Sequence, residues 1–193
     1  MKMDETKDII VSVANKLFSR FGFQKTSMDE IAKTARKAKG SLYYHFASKE
    51  ALFKEVVSRE MTVLKNQLSV VVHNTELNAG DKIKNYLLLR MELLNNAANY
   101  HETLKADFYE HYIFIDDLRS ELDKWELVNL RNILEQGIDE GAFNKSGNIE
   151  VLLEMIIMVL KGLEIPFFLQ NKYTRYSPHF DDLIGVLVKG ISK

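Results

Sequence analysis

Three helix punctuation marks fall close together near the start of this chain: Gly22, the tetrad Ser27-Met28-Asp29-Glu30, and Ser48. They divide the opening of the sequence into one helix followed by two short ones. Ile10, Val13, Ala14, Leu17, Phe18 and Phe21 recur at i, i+3 and i+4, the spacing of an inward helical stripe. Gly22 stands where a left-handed C-terminal cap belongs, because glycine adopts positive φ without a Cβ clash. Ser27 and Glu30 read as a capping box that starts a second helix anchored by Ile31 and ending near Ala35. A third helix, Ala38 to Phe46, is closed by the next cap at Ser48.

The remainder is helical in pattern too. Only two prolines and almost no alternating β-branched runs predict an all-α fold. From Lys49 a long helix carries Leu52, Phe53, Val56, Val57, Met61 and Leu64 into the seventies. Asn78-Ala-Gly-Asp81 interrupts it, with Asp81 expected to cap the next helix. That helix contains YLLLRMELL, apolar on too many sides for a surface position and therefore central. An aromatic run, FYEHYIF (108–114), precedes a helix from Asp116 to Glu140. Two further helices are expected over Asn148–Gln170, kinked at Pro166, and Pro178–Ile191, capped by Ser177.

Bulk properties narrow the function. There are no cysteines, which removes disulfides, thiolate metal sites and cysteine nucleophiles. MKMDETKD has acids where a signal peptide needs an apolar run, and charges interrupt each long apolar stretch, so a soluble cytoplasmic protein is expected. The net charge of −1 conceals a polarity: residues 1–50 carry +4 and the rest −5. Lys33, Arg36, Lys37 and Lys39 cluster in the basic part and suit a polyanionic partner. His-Glu-x-x-His, the Glu-x-x-His pair of di-iron bundles, a phosphate-cradling glycine loop with lysine, and Gly-x-Ser-x-Gly are all missing. No enzyme, metal or cofactor is expected.

The third helix is too short to bury more than one narrow face. At about 100° per residue, Leu42 and Phe46 share the inward side and Gly40, Ser41 and Tyr44 the opposite one. Tyr43 and His45 fall on the flanks. Such a helix, entering a DNA major groove end-on, meets bases with its outer N-terminal residues and phosphates with its flanks. Lys39 can donate to guanine or phosphate, Gly40 permits close backbone approach, and Ser41 can bond either way. Tyr44 suits a phosphate or a thymine methyl. Thr26, Ser27 and Ser48-Lys49 sit at helix starts whose free N–H groups suit phosphate.

The run TSMDEIAKTARKAKGSLYYHFASKEALF (26–53), preceded by ANKLFSRFGFQK, closely resembles the N-terminal signature of the TetR family of transcriptional regulators. The resemblance implies a helix-turn-helix DNA-binding head over 1–48 and a larger helical ligand-binding and dimerisation domain over 49–193, about nine helices in all. It implies a homodimer on a palindromic operator, a repressor released by a small, mainly apolar effector. It places Lys39, Gly40, Ser41, Tyr43 and Tyr44 in the groove, with Thr26, Ser27, His45 and Lys49 on phosphates. One departure stands out: where the family usually has glycine and then an apolar residue in the turn, this chain has Arg36 and Lys37. The turn is either differently shaped, or both side chains point outward and add phosphate contacts.

In the larger domain, Met91, Leu94, Phe108, Tyr109, Tyr112, Trp125, Met155, Met158 and Phe168 are candidates to line an apolar pocket, or else to be plain core. Arg90, inside LLLRMELL, needs an anion if buried: an acid such as Glu92 or Glu164, or a ligand carboxylate. VLLEMIIMVLKGL and LIGVLVKGI carry more apolar surface than one chain should expose, which suits pairing of the last two helices with a second copy. A helical interaction protein whose head no longer binds DNA is the competing reading.

Overall fold

The computed structural model describes residues 2–105, 114–144 and 148–192. Its helices are α1 (Lys2–Phe21), α2 (Met28–Thr34), α3 (Lys39–His45), α4 (Lys49–Val72), α5 (Ala79–Asn96), α6 (Ala98–Glu102), α7 (Phe114–Asp139), α8 (Ile149–Glu164), α9 (Tyr173–Tyr176) and α10 (Phe180–Ile191). No strand forms among the described residues, where an isolated bridge joins Phe143 to Ser192. The all-α expectation holds. The chain divides into two compact units, Met1–Thr62 with Ala97–Ile115, and Val63–Asn96 with Asp116–Lys193.

In the first unit, Ile10, Val11, Ala14 and Phe18 form the buried stripe of α1. Phe21, expected inward, is exposed with the Arg20 guanidinium 5.1 Å from its ring centre. Gly22 turns the chain with φ +82°, and it is Phe23 beyond the turn that fills the core, its ring 5.8 Å from Phe18 and 5.0 Å from Phe53. The capping box of α2 is present in full: Ser27 Oγ accepts from the Glu30 N–H at 3.2 Å, and the Ser27 N–H donates back to Glu30 Oε2 at 2.9 Å. Ser48 Oγ accepts from the Ala51 N–H at 3.2 Å and starts α4, whose Leu52, Phe53, Val56, Val57, Met61 and Leu64 are all buried as their spacing predicts.

The turn between α2 and α3 keeps a glycine-type geometry without glycine. Arg36 has φ +53°, its N–H reaches the Lys33 carbonyl at 3.2 Å, and the Lys37 N–H reaches the Ala32 carbonyl at 3.0 Å. Those two bonds are a Schellman motif with arginine at the left-handed position. The shape is the ordinary one, held at a cost of about 1 kcal/mol per left-handed non-glycine residue. Arg36 is exposed, and Lys37 is half-buried with Nζ 3.5 Å from Thr6 Oγ1.

The short helix α6 has no capping side chain of its own. Glu60, partly buried on α4, takes that role, accepting from the Tyr100 N–H at 2.9 Å, the Asn99 N–H at 3.4 Å and Asn99 Nδ2 at 2.7 Å. Burial pushes the Glu60 carboxyl above its ordinary range, against those bonds.

In the second unit, α5 carries Tyr86, Leu87, Arg90, Met91 and Leu94 into the interior, as its apolar run predicts. Its cap is Asn78 rather than Asp81: Asn78 Oδ1 accepts from the Asp81 N–H at 2.9 Å and Nδ2 donates to Asp81 Oδ2 at 2.8 Å. Asn148 caps α8 by accepting from the Glu150 and Val151 N–H groups. The expected kink is a change of helix type. α8 ends at Glu164, and Ile165–Leu169 form a π-helical turn around Pro166, whose missing N–H cannot continue the α-helical ladder. The last helix also begins later than expected. Ser177–His179 form a 3₁₀ turn, and α10 starts at Phe180 without a side-chain cap.

Candidate functional site

Leu42 and Phe46 anchor α3 in the first unit, and Gly40, Tyr43 and Tyr44 face solvent, with Tyr44 70% and Tyr43 46% exposed. Ser41 and His45 are half-buried on the flanks, and the His45 and Tyr44 rings meet edge to face at 5.2 Å. One fully buried residue within α3, Leu42, is enough to fix it because Phe46 follows directly as its C-cap. The rest of the helix surface is therefore available to a partner.

Beside α3 runs an open groove of about 380 Å³ lined by Gln24, Lys25, Thr26, Ser27, Met28, Asp29, Lys39, Tyr43 and Lys49. Five of the residues singled out in the sequence, Thr26, Ser27, Lys39, Tyr43 and Lys49, thus share one concave surface. Four of them are already engaged, Ser27 through the capping box of α2. Thr26 is only 3% exposed and donates its hydroxyl to the Gly22 carbonyl at 2.8 Å. Lys49 Nζ donates to the Phe23 carbonyl at 2.9 Å while lying 4.2 Å from the Phe23 ring centre. Lys39 Nζ pairs with Asp29 Oδ1 at 2.7 Å, and the hydrogen bond and charge of Asp29 raise the proton affinity of the ammonium. Gln24, Lys25 and Asp29 were not among the contact residues expected from the sequence; their place in the groove follows from the α1–α2 connection, which periodicity does not describe.

The second unit answers the question posed by Arg90. Its guanidinium, 1% exposed, donates from Nε to Glu126 Oε1 at 2.7 Å, from Nη2 to Glu126 Oε2 at 3.1 Å, and from Nη2 to Glu164 Oε1 at 3.1 Å. Arg119 reaches the other oxygen of Glu164 at 3.2 Å, and Tyr86 donates its hydroxyl to Glu126 at 3.0 Å. Burial, then the Glu126 charge, raise the Tyr86 phenol well above its ordinary range. Two cations face two carboxylates, the arrangement that a buried charge requires. Of the acids expected, Glu164 is a partner and Glu92 is exposed. Glu126, a full helix away in sequence, was not anticipated.

The pocket candidates separate. Met91, Leu94 and Phe168 are buried with Arg90, and Trp125 is half-buried. Met155 and Met158 lie outward on α8, 57% and 71% exposed, and Phe108, Tyr109 and Tyr112 fall outside the described residues. A cavity of about 430 Å³ opens elsewhere in this unit, walled by Leu134, Ile138, Phe143, Ile149, Leu152 and Ile191 with Glu135, Asp139, Asn144 and Asn148. Val151, Val159, Leu183, Val186 and Leu187 join the two methionines as an exposed apolar face on α8 and α10.

A capped helix, a Schellman turn and a short helix with one buried anchor define a helix-turn-helix head. Residues 10–56 match the family model described as "Bacterial regulatory proteins, tetR family". The HTH-type transcriptional regulator QacR of Staphylococcus aureus (strain Mu50 / ATCC 700699) is 30% identical over 120 residues, 62% of each chain, so the likeness spans under two thirds of that relative. The biofilm operon icaADBC HTH-type negative transcriptional regulator IcaR of Staphylococcus aureus (strain Newman) is 42% identical over 60 residues, 31% of this chain and 32% of that one. A crystal structure of a transcriptional regulator from Cytophaga hutchinsonii ATCC 33406 has the same fold, with a TM-score of 0.81 at 24% identity over 96% of this chain and 98% of that one. Residues 10–56 thus resemble the N-terminal domain of tetR-family regulatory proteins, and the curated relatives that match are HTH-type transcriptional regulators.

Proposed function

We propose that this chain is a ligand-responsive DNA-binding repressor, acting in the cytoplasm as a homodimer on a palindromic operator and released by a small, mainly apolar effector. The observation that carries the reading is α3, which commits Leu42 to the core and leaves Lys39, Gly40, Tyr43 and Tyr44 facing outward. A structural helix of seven residues gains nothing from two exposed tyrosines, whereas a groove-reading helix uses them for phosphate and methyl contacts. Lys39, Gly40, Ser41, Tyr43 and Tyr44 read the groove; Ser27, His45 and Lys49 hold phosphate walls, with Thr26 bracing the approach through Gly22. The sign of regulation follows the negative regulator IcaR, whose likeness lies in a head-sized stretch of sequence.

Dimerisation is supported by the exposed apolar face of α8 and α10, of a kind that monomers seldom leave in water. Symmetry then presents two heads to two half-sites. The effector's mainly apolar character is supported by Leu134, Ile138, Phe143, Ile149, Leu152 and Ile191 in the walls of the 430 Å³ cavity, which Glu135, Asp139, Asn144 and Asn148 complete. Arg90 is not taken as its anchor, since Nε and Nη2 of that side chain already face buried carboxylates.

A mobility-shift titration with the DNA upstream of the protein's own gene tests the reading. A sequence-dependent shift by a dimer, weakening steeply with salt, is expected. Equal binding to upstream and unrelated DNA of the same length would overturn it.

A further inference from the structure

The groove beside α3 contains a carboxylate that DNA binding by itself does not call for. Asp29, the second residue of α2, is exposed and lies 2.7 Å from the ammonium of Lys39, the first residue of α3. Both side chains line the same groove as Ser27, Tyr43 and Lys49. Phosphates repel a carboxylate there, so Asp29 works against generic DNA affinity. Nor is it needed for the fold: Glu30 already completes the capping box of α2, and an exposed ion pair contributes little to stability.

What Asp29 supplies is a competitor. In the free protein the Lys39 ammonium has an acceptor of its own, and DNA must displace it to reach that side chain. An arbitrary phosphate offers one charged contact in exchange for another. A guanine edge offers O6 and N7 together, and the carboxylate released from Lys39 can accept from the N4 amino group of a neighbouring cytosine. The exchange is favourable at the right base pairs and close to neutral elsewhere.

We infer that Asp29 is a specificity-determining residue: by holding Lys39 in an ion pair across α2 and α3, it suppresses binding to arbitrary DNA while leaving operator binding intact. This rests on the reading of the head as a DNA reader. Asp29 acts on discrimination through Lys39.

The test uses the full-length wild type, Asp29→Asn, Lys39→Ala and the double variant, with anisotropy titrations on the upstream duplex the wild type protects and on a scrambled duplex of equal length. Asp29→Asn is expected to tighten binding to scrambled DNA about fivefold, equivalent to about 1 kcal/mol, and to steepen its salt slope by about 0.9. Operator affinity should gain less than scrambled affinity, because there the substitution also gives up the carboxylate that faces cytosine, so the specificity ratio falls. In the Lys39→Ala background the same substitution should relieve phosphate repulsion on both duplexes alike and leave the specificity ratio unchanged, because no ammonium remains to be released. In the wild-type background an equal gain on both duplexes or an unchanged ratio, or a fall in the ratio undiminished without Lys39, would overturn the inference alone. A wild type that protects no duplex, or does not distinguish the two, would overturn the DNA-reading assignment and this inference with it.

Discussion

Arg90→Met removes one cation from a buried set of two cations and two carboxylates. Glu126 then loses donors at 2.7 and 3.1 Å and Glu164 loses one at 3.1 Å, leaving Arg119 and the Tyr86 hydroxyl opposite two carboxylates that are almost fully buried. Breaking a buried pair from one side costs about 3–5 kcal/mol, a large share of the roughly 5–15 kcal/mol that holds a domain folded. Arg90→Met/Glu126→Gln keeps an acceptor for the Tyr86 hydroxyl and leaves Arg119 and Glu164 balanced at 3.2 Å. It should recover at least about 2 kcal/mol relative to the sum of the two single losses. Urea unfolding at fixed protein concentration, followed by the fluorescence of Trp125 and by circular dichroism, gives the four stabilities. A single-variant loss below about 1 kcal/mol, or strict additivity in the double, would refute the network as a coupled unit.

Two other expectations follow from the first unit. Arg36→Gly relieves the positive φ at the Schellman position and should stabilise the head by about 0.5–1 kcal/mol, read as a higher urea midpoint with an unchanged slope; a lower midpoint would mean that Arg36 makes a stabilising contact outweighing its strain. Glu60 has a folded pKa raised above the ordinary 4.5, so wild-type stability should decline as pH rises from there through the folded value, whereas Glu60→Gln should lack that decline. Parallel pH–stability curves for the two proteins would contradict the burial of that charge.

Local signals carried the sequence reading furthest. The Ser27–Glu30 box, the Gly22 cap, the Ser48 cap and the buried stripe of α4 are decided by residues within a turn or two of each other, and each appears where its spacing places it. The inward face of α3 was legible for the same reason. What escaped depends on residues far apart in the chain or on the path of a connection. Phe23 replaces Phe21 in the core because the chain reverses at Gly22, and Glu126 reaches Arg90 from another helix. Asp29 faces Lys39 only because the Schellman turn folds α3 back beside α2. Arginine at the turn looked disruptive in sequence, yet the backbone accepts the left-handed geometry because two helix-end carbonyls gain their bonds. Pro166 signalled a break but not its kind, a π-helical turn that carries the buried Phe167 and Phe168.

The measurement that bears most directly on the outer face of α3 as a DNA-reading surface is the salt dependence of operator affinity for the wild type, Lys39→Ala and Tyr43→Phe, with the dimer checked for each. Both variants should fold and dimerise as the wild type does and bind the operator more weakly. Their log–log salt slopes should be shallower by about 0.9 for each phosphate that the altered side chain no longer engages. Wild-type affinity and an unchanged slope in both variants would contradict the assignment of that face to DNA.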